Sequence, residues 1–238
     1  MQRRLKMIQF DLQNKVVFVF DGDHQVGKEI IRLYTEAGAK ILFLSRTDSE
    51  GESIFILKYK DGSSSNDIGP VNLENSSFLQ GLPDLHQIDI IINNLETDTG
   101  KEIIDITPEE WENVMFINLD VPFQLIKMIT PLMEKQNDGV IINVSSTSAI
   151  DGGNGDTAYA ASKSALESMN KALSRELASS NIRVNAVSVG KYDTSDSIPL
   201  GRKVTASEIA NTILMLTTPM ASYMNGQTIL LDGGKTLA

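Results

Sequence analysis

The chain of 238 residues contains no cysteine, which excludes disulfides, thiolate nucleophiles and cysteine-bound zinc or iron–sulfur centres. Histidine is limited to His24 and His86, too few for a multi-histidine metal site, so no metal is expected. Basic residues are in deficit: 21 Lys and Arg against 31 Asp and Glu leave a net charge of −10. That charge repels phosphate backbones and anionic lipid, and argues against nucleic acid and membrane as partners. Long hydrophobic runs are missing as well. The longest, such as residues 16–20, fall far short of a bilayer span. The apolar stretch after Arg3, Arg4 and Lys6 is broken by Asp11, Gln13, Asn14 and Lys15, so no signal-peptide core forms and a cytoplasmic location is expected. What remains, 41% hydrophobic and 22% charged side chains, is the composition of a folded soluble protein rather than a disordered one.

Short β-branched apolar runs alternate with amphipathic stretches, the pattern of βαβ units around a parallel sheet buried on both faces. Strands are expected at residues 16–20, 41–44, 88–92, 140–144, 183–187 and 228–231. Helices are expected at 28–37, at 108–118 with a continuation to 133, at 158–179 and at 207–216. Right-handed crossovers turn this order into an α/β fold, a doubly wound parallel sheet in a Rossmann-like three-layer sandwich, whose ligand crevice lies beyond the carboxyl ends of the strands. No repeat or linker divides the chain, so residues 1–238 are expected to form a single domain. The stretch 48–87 is less regular: 54–59 alternates like a strand and 61–66 reads as a polar turn.

Tyr159 and Lys163 stand at i and i+4 within the helix expected over 158–179, which puts phenol and ammonium on one helical face. A cation that close favours the phenolate and makes the phenol a better proton donor and acceptor at neutral pH. Alone, the spacing equally suits an exposed Tyr–Lys pair. Its surroundings add more. Ser146 stands thirteen residues before Tyr159, in Asn143-Val144-Ser145-Ser146, and Asn118 opens Asn118-Leu119-Asp120-Val121-Pro122-Phe123. Asn93-Asn94 follows the strand over 88–92, and Asn181-Ile182-Arg183-Val184-Asn185 precedes a tail with Glu208-Ile209-Ala210-Asn211 and Leu231-Asp232-Gly233-Gly234. In this order, and over nearly the whole chain, these segments resemble the short-chain dehydrogenase/reductase family. Among its members the chain looks most like the 3-oxoacyl-acyl-carrier-protein reductase branch.

The resemblance implies an NAD(P)-dependent oxidoreductase that interconverts a ketone and a secondary alcohol. Tyr159 would be the general acid/base that protonates the carbonyl oxygen as hydride arrives, and Lys163 would assist it and bind the nicotinamide ribose. Ser146 would hold the substrate oxygen, and Asn118 would fix a water linking Lys163 to solvent. Asn118 also admits a structural reading, as a residue that bends its helix. The cofactor-binding set carried over is His24, Gln25, Val26, Gly27, Arg46, Leu73, Asn94, Tyr159, Lys163, Gly190 and Thr194. A small carbonyl or alcohol is the implied substrate, and a homo-oligomer, tetramer or dimer, the implied assembly.

The cofactor cleft departs from the family. The family's Thr-Gly-x-x-x-Gly-x-Gly turn reads Phe20-Asp21-Gly22-Asp23-His24-Gln25-Val26-Gly27, so only the last glycine keeps its place. The first glycine permits the tight turn and the second the close approach of a pyrophosphate. Asp21 and Gln25 stand there instead, and Gly22 is expected to supply the turn one position late. Asp21 and Asp23 set carboxylates where an anion belongs. His24 offsets them only when protonated, and equally reads as an exposed loop residue. Asn-Asn-Ala-Gly becomes Asn93-Asn94-Leu95-Glu96, Pro-Gly becomes Val189-Gly190, and only thirteen residues separate Thr194 from Glu208, a shortened substrate lid. At the end of the second strand, Ser45-Arg46 without an acid favours NADP(H) over NAD(H); pairing of Arg46 with Asp48 or Glu50 is the alternative. The altered loop keeps a second reading open, a binding or structural subunit with weak dinucleotide affinity.

Overall fold

The computed structural model describes residues 11–49, 52–61, 64–70, 86–153, 155–190 and 198–237. Strand β1 (Val16–Phe20) is buried along its whole length, and its alternation feeds both sides of the sheet. Val17 and Val19 join one apolar cluster, Phe18 and Phe20 the other. A strand apolar on both faces belongs in the middle of a helix-covered sheet. Helix α1 (Gln25–Glu36) follows and buries Ile30, Ile31 and Tyr34. Next come β2 (Lys40–Ser49), β3 (Glu52–Asp61), β4 (Ser64–Pro70) and β5 (Ile90–Asn93). A continuous helical rod is built from α2 (Pro108–Met115), a π-helical turn over Phe116–Asp120 and α3 (Val121–Gln136). The order ends with β6 (Gly139–Ser146), the single-turn α4 (Ser148–Asp151), α5 (Thr157–Glu176), β7 (Ile182–Val189), α6 (Ala206–Thr217) and β8 (Thr228–Leu231).

These strands form an eight-stranded sheet in the order β4-β3-β2-β1-β5-β6-β7-β8. From β2 across to β8 every neighbouring pair is parallel, as the alternation of strand and helix predicts. Helices α1 and α6 cover one face around Ile30, Tyr34, Ile142, Val187 and Ile213. On the other face α3 and α5 pack through Leu125, Ile129, Met169 and Leu173 against Phe18, Leu42 and Ile141. No helix among the described residues is long and apolar enough to cross a membrane.

Three expectations are corrected. The sheet is not parallel throughout, because β3 and β4 run antiparallel to their neighbours. The run Phe55-Ile56-Leu57-Lys58-Tyr59-Lys60 buries Phe55 and Leu57 in the α3-side cluster while Lys58 and Lys60 turn to the opposite face. A strand with one apolar face suits an antiparallel sheet margin, not a position covered on both sides. The segment 61–66 is more than a turn, since β4 starts at Ser64 and pairs with β3 from Asp61↔Ser64 to Ile56↔Pro70. Helix α1 begins at Gln25, earlier than the expected Lys28, with His24 as an N-cap whose side chain makes no capping bond.

Candidate active site

The ends of β5, β6 and β7 and the start of α1 meet at a cleft of about 190 Å³ lined by Gln25, Val26, Asn94, Glu96, Val144, Ser145, Tyr159, Val189 and Gly190, among others. A second cavity of about 280 Å³ is lined by Gly100, Lys101, Glu102, Ser148, Gly153, Gly155, Asp156 and Tyr159. Tyr159 borders both.

Buried amides fix this arrangement. Asn93, at the end of β5, donates to Asn143 of β6 at 3.2 Å, and Asn143 donates to Asn170 of α5 at 3.2 Å. All three are sealed from solvent, so their partners have to be internal, and the ladder locks α5 onto the sheet. Further along α5, Tyr159 and Lys163 are each only 1% exposed. The Lys163 ammonium donates to the carbonyls of Leu95 at 3.2 Å and Val144 at 3.0 Å, and stands 5.7 Å from the centroid of the Tyr159 ring. A buried ammonium requires such acceptors. The Tyr159 hydroxyl donates to Glu96 Oε2 at 3.0 Å.

Asp156 caps α5. One oxygen accepts from the Tyr159 N–H at 3.0 Å, and the other from the Thr99 N–H at 2.7 Å, the Gly100 N–H at 3.0 Å and the Thr99 hydroxyl at 3.2 Å. The loop after β5 is thereby stitched to the helix that carries Tyr159. Burial pushes the Asp156 carboxyl up, but these hydrogen bonds outweigh it and hold it below the usual carboxylate range. The stability it contributes is present above the unfolded-chain value of about 4 and is lost as pH falls through the lower folded value. Asp156→Ala should lower the melting temperature near neutral pH by about 2–6 °C. Scanning calorimetry should show that gap closing as the solution is taken below about pH 4.

Asn118 lies in the π-helical turn and is fully buried. Its oxygen accepts from the Thr97 N–H at 2.7 Å, and its amide donates to the Thr97 carbonyl at 2.9 Å and to Ser162 Oγ at 2.8 Å. Both side-chain amide hydrogens are engaged inside the protein, so the side chain braces the helical rod, in keeping with the structural reading of this residue. Ser146 also turns inward, donating to Ser148 Oγ and accepting from the Ser148 N–H, each at 3.2 Å. Ser148, not Ser146, lines the cavity beside Tyr159. Sequence reasoning missed Ser148 and Asp156. The first carries no motif signal, but the second was readable as an N-cap aspartate ahead of a helical run.

In the turn after β1, Asp21 adopts the left-handed conformation, φ 62°, that a glycine would otherwise supply and that Asp tolerates better than most residues. Gly22 therefore does not provide the turn. It is required for packing, since a Cβ there would stand 2.6 Å from Phe43 Cδ2 and 2.7 Å from Ile31 Cδ1. Asn94 donates to the Asp21 carbonyl at 3.2 Å. The Asp21 side chain is buried, its Oδ2 has no hydrogen-bond partner among the described residues, and the imidazole of His24, itself exposed, stands 3.7 Å away. Burial pushes the Asp21 carboxyl up; His24 and Arg46 oppose this, while Asp23 and Glu96 add to it. Arg46 reaches from β2 to the Glu96 carbonyl at 3.3 Å. Its alternative partners, the side chains of Asp48 and Glu50, lie outside what the structure describes, as do Leu73 and Thr194. Gly190 is buried at the end of β7 and donates to the Leu231 carbonyl at 3.3 Å.

These residues fit a nicotinamide dinucleotide at two places. The Tyr159–Lys163 pair and Asn94 offer hydroxyl, ammonium and amide at the strand ends, and α1 presents an N-terminus with no acid in its first turn, a site for phosphate. The Asp21 and Glu96 carboxylates weaken that fit without filling the cleft.

The family model described as enoyl-(acyl carrier protein) reductase matches residues 22–236. The chain is 31% identical to the 3-oxoacyl-acyl-carrier-protein reductase FabG of Chlamydia muridarum, over 94% of this chain and 98% of that one. It is 31% identical to a 3alpha-hydroxysteroid dehydrogenase of Mediterraneibacter gnavus, over 93% and 97%. A short-chain dehydrogenase/reductase structure from Burkholderia xenovorans shares the fold, with a TM-score of 0.79 at 23% identity over 95% of this chain and 98% of that one. Relatives named as oxidoreductases do not favour the reading as a structural subunit. Matched across most of its length by the family model and by relatives of nearly equal size, the chain belongs to the short-chain dehydrogenase/reductase family of NAD(P)-dependent oxidoreductases.

Proposed function

We propose that the chain reduces a ketone to a secondary alcohol with NADPH, using Tyr159 as proton donor and Arg46 to select the phosphorylated cofactor. The observation that carries this reading is one buried phenol beside an ammonium, set between two cavities. Relatives named for a 3-oxoacyl group and for a hydroxysteroid support a ketone or secondary alcohol as the reacting group.

When bound, the cofactor supplies the hydride. His24, Gln25, Val26 and Gly27 at the start of α1, with Asn94, Lys163 and Gly190, are the residues to hold it. Tyr159 gives its hydroxyl proton to the substrate oxygen, and the Lys163 ammonium stabilises the phenolate left behind. Ser148 is positioned to donate to the same oxygen from the second cavity, with Ser146 orienting its hydroxyl. Ser45-Arg46 offers a cation and no acid beside the cleft, which suits a ribose phosphate. Exposed Trp111, Phe116 and Phe123 on the helical rod support a homo-oligomer.

Titration calorimetry tests the cofactor reading. NADPH is expected to bind about tenfold or more tightly than NADH, and Arg46→Ala to erase most of that preference while leaving NADH affinity nearly unchanged. Equal affinities in the wild type would defeat the Arg46 assignment; no binding of either cofactor up to millimolar concentration would defeat the function.

A further inference from the structure

Glu96 stands where the family carries a glycine, and its carboxylate enters the strand-end cleft to accept the Tyr159 hydroxyl at 3.0 Å. A phenol has a single hydrogen to donate. While Glu96 holds it, Tyr159 has none for a substrate oxygen, and a negative charge stands in the cleft that has to admit an anionic dinucleotide. The charged groups around this part of the cleft come from several elements. Asp21, in the turn after β1, interacts electrostatically with Glu96 and in turn with Asp23, His24 and Arg46. Arg46 on β2 also donates to the Glu96 carbonyl, Lys163 on α5 donates to the neighbouring Leu95 carbonyl, and Lys203, on the segment leading into α6, lines the same cleft.

We propose that Glu96 sets the affinity of this chain for its nicotinamide cofactor, acting as an internal ligand of Tyr159 that the dinucleotide displaces with uptake of a proton. The inference rests on the proposed function for the identity of the displacing ligand. Three observations carry it: the carboxylate is in the cleft, it occupies the hydroxyl assigned to the reaction, and a second carboxyl, Asp21, is buried within electrostatic reach of it, with an oxygen that has no hydrogen-bond partner among the described residues. An incoming anion favours the protonated form of both acids, so affinity rises as pH falls.

The test is calorimetric titration of the full-length protein with NADPH, at about pH 6 and about pH 8, for wild type, Glu96→Gly and the isosteric Glu96→Gln. Both variants are expected to bind about tenfold more tightly at the higher pH, with a flatter pH dependence. A second readout needs no cofactor. In an ultraviolet titration of the free protein, with the Tyr159 signal isolated by subtraction of Tyr159→Phe, phenolate should appear at lower pH in Glu96→Gln than in wild type. Equal or weaker NADPH binding by both variants, with an unchanged pH dependence, overturns the proposal, and so does the absence of binding in all three proteins. Ketone reduction that survives Tyr159→Phe would remove the assigned role of the phenol and leave the binding comparison at Glu96 standing.

Discussion

Tyr159→Phe is expected to lower kcat for NADPH-dependent ketone reduction by about 10²–10⁴-fold, the span that a positioned general acid contributes. The ring remains, so the packing of a side chain only 1% exposed is preserved and the fold stays intact. Only the hydroxyl goes, and with it the proton that the substrate oxygen needs as hydride adds. Glu96 loses its donor, but it is only partly buried, so water replaces the lost hydrogen bond at small cost. Steady-state kinetics on a reactive diketone, with circular dichroism to confirm folding, would decide the matter. A variant that kept more than about a tenth of wild-type kcat would show that the proton comes from elsewhere.

Gly27→Ala is expected to be the most damaging small substitution in the cofactor turn. A Cβ at Gly27 would stand 2.3 Å from the Asp21 carbonyl oxygen and 2.9 Å from Gly22 Cα and carbonyl carbon. Every one of those neighbours is backbone, so no side chain can swing away. Relief requires α1 to lift off the turn after β1, which disturbs the packing of Ile30 and Tyr34 beneath it. Overpacking of this kind costs about 3 kcal/mol, a drop of about 6–12 °C in melting temperature for a chain of this size. NADPH binding should weaken with it, because the helix N-terminus moves away from the cleft. A melting temperature within about 2 °C of wild type would contradict the close approach of helix and turn.

How far the sequence could be read follows the range of the forces involved. The bounds of β1 match the apolar run at 16–20, because a strand buried between helix layers announces itself by composition alone; β8 also keeps the bounds 228–231, although this edge strand is only partly buried. The alternation over 54–59 signalled a strand but not its direction, since period two is common to parallel and antiparallel pairing. In the site, Tyr159, Asn94, Gln25, Val26 and Gly190 line one cleft at the strand ends, with Lys163 bonded to the Val144 carbonyl beside it. The partners of Asn118 were not readable: Thr97 is 21 residues away and Ser162 is 44, and nothing local encodes those contacts. Glu96 was visible as an anomaly against the family pattern. That it would reach Tyr159, 63 residues on, required the loop after β5 to be pinned by Asp156 and Asn118, which is a tertiary outcome.

The antiparallel margin of the sheet also bears on the order of assembly. Strand β2 ends at Ser49 and β3 begins at Glu52, while β3 ends at Asp61 and β4 begins at Ser64. Pairing them closes only very short loops, an event of about 1–10 μs. The seam between β1 and β5, by contrast, joins positions such as Asp21 and Asn94 that are 73 residues apart, and so carries a much larger closure entropy. The meander can therefore form first and present β2 already extended, a template on which β1 and then the remaining parallel strands are laid.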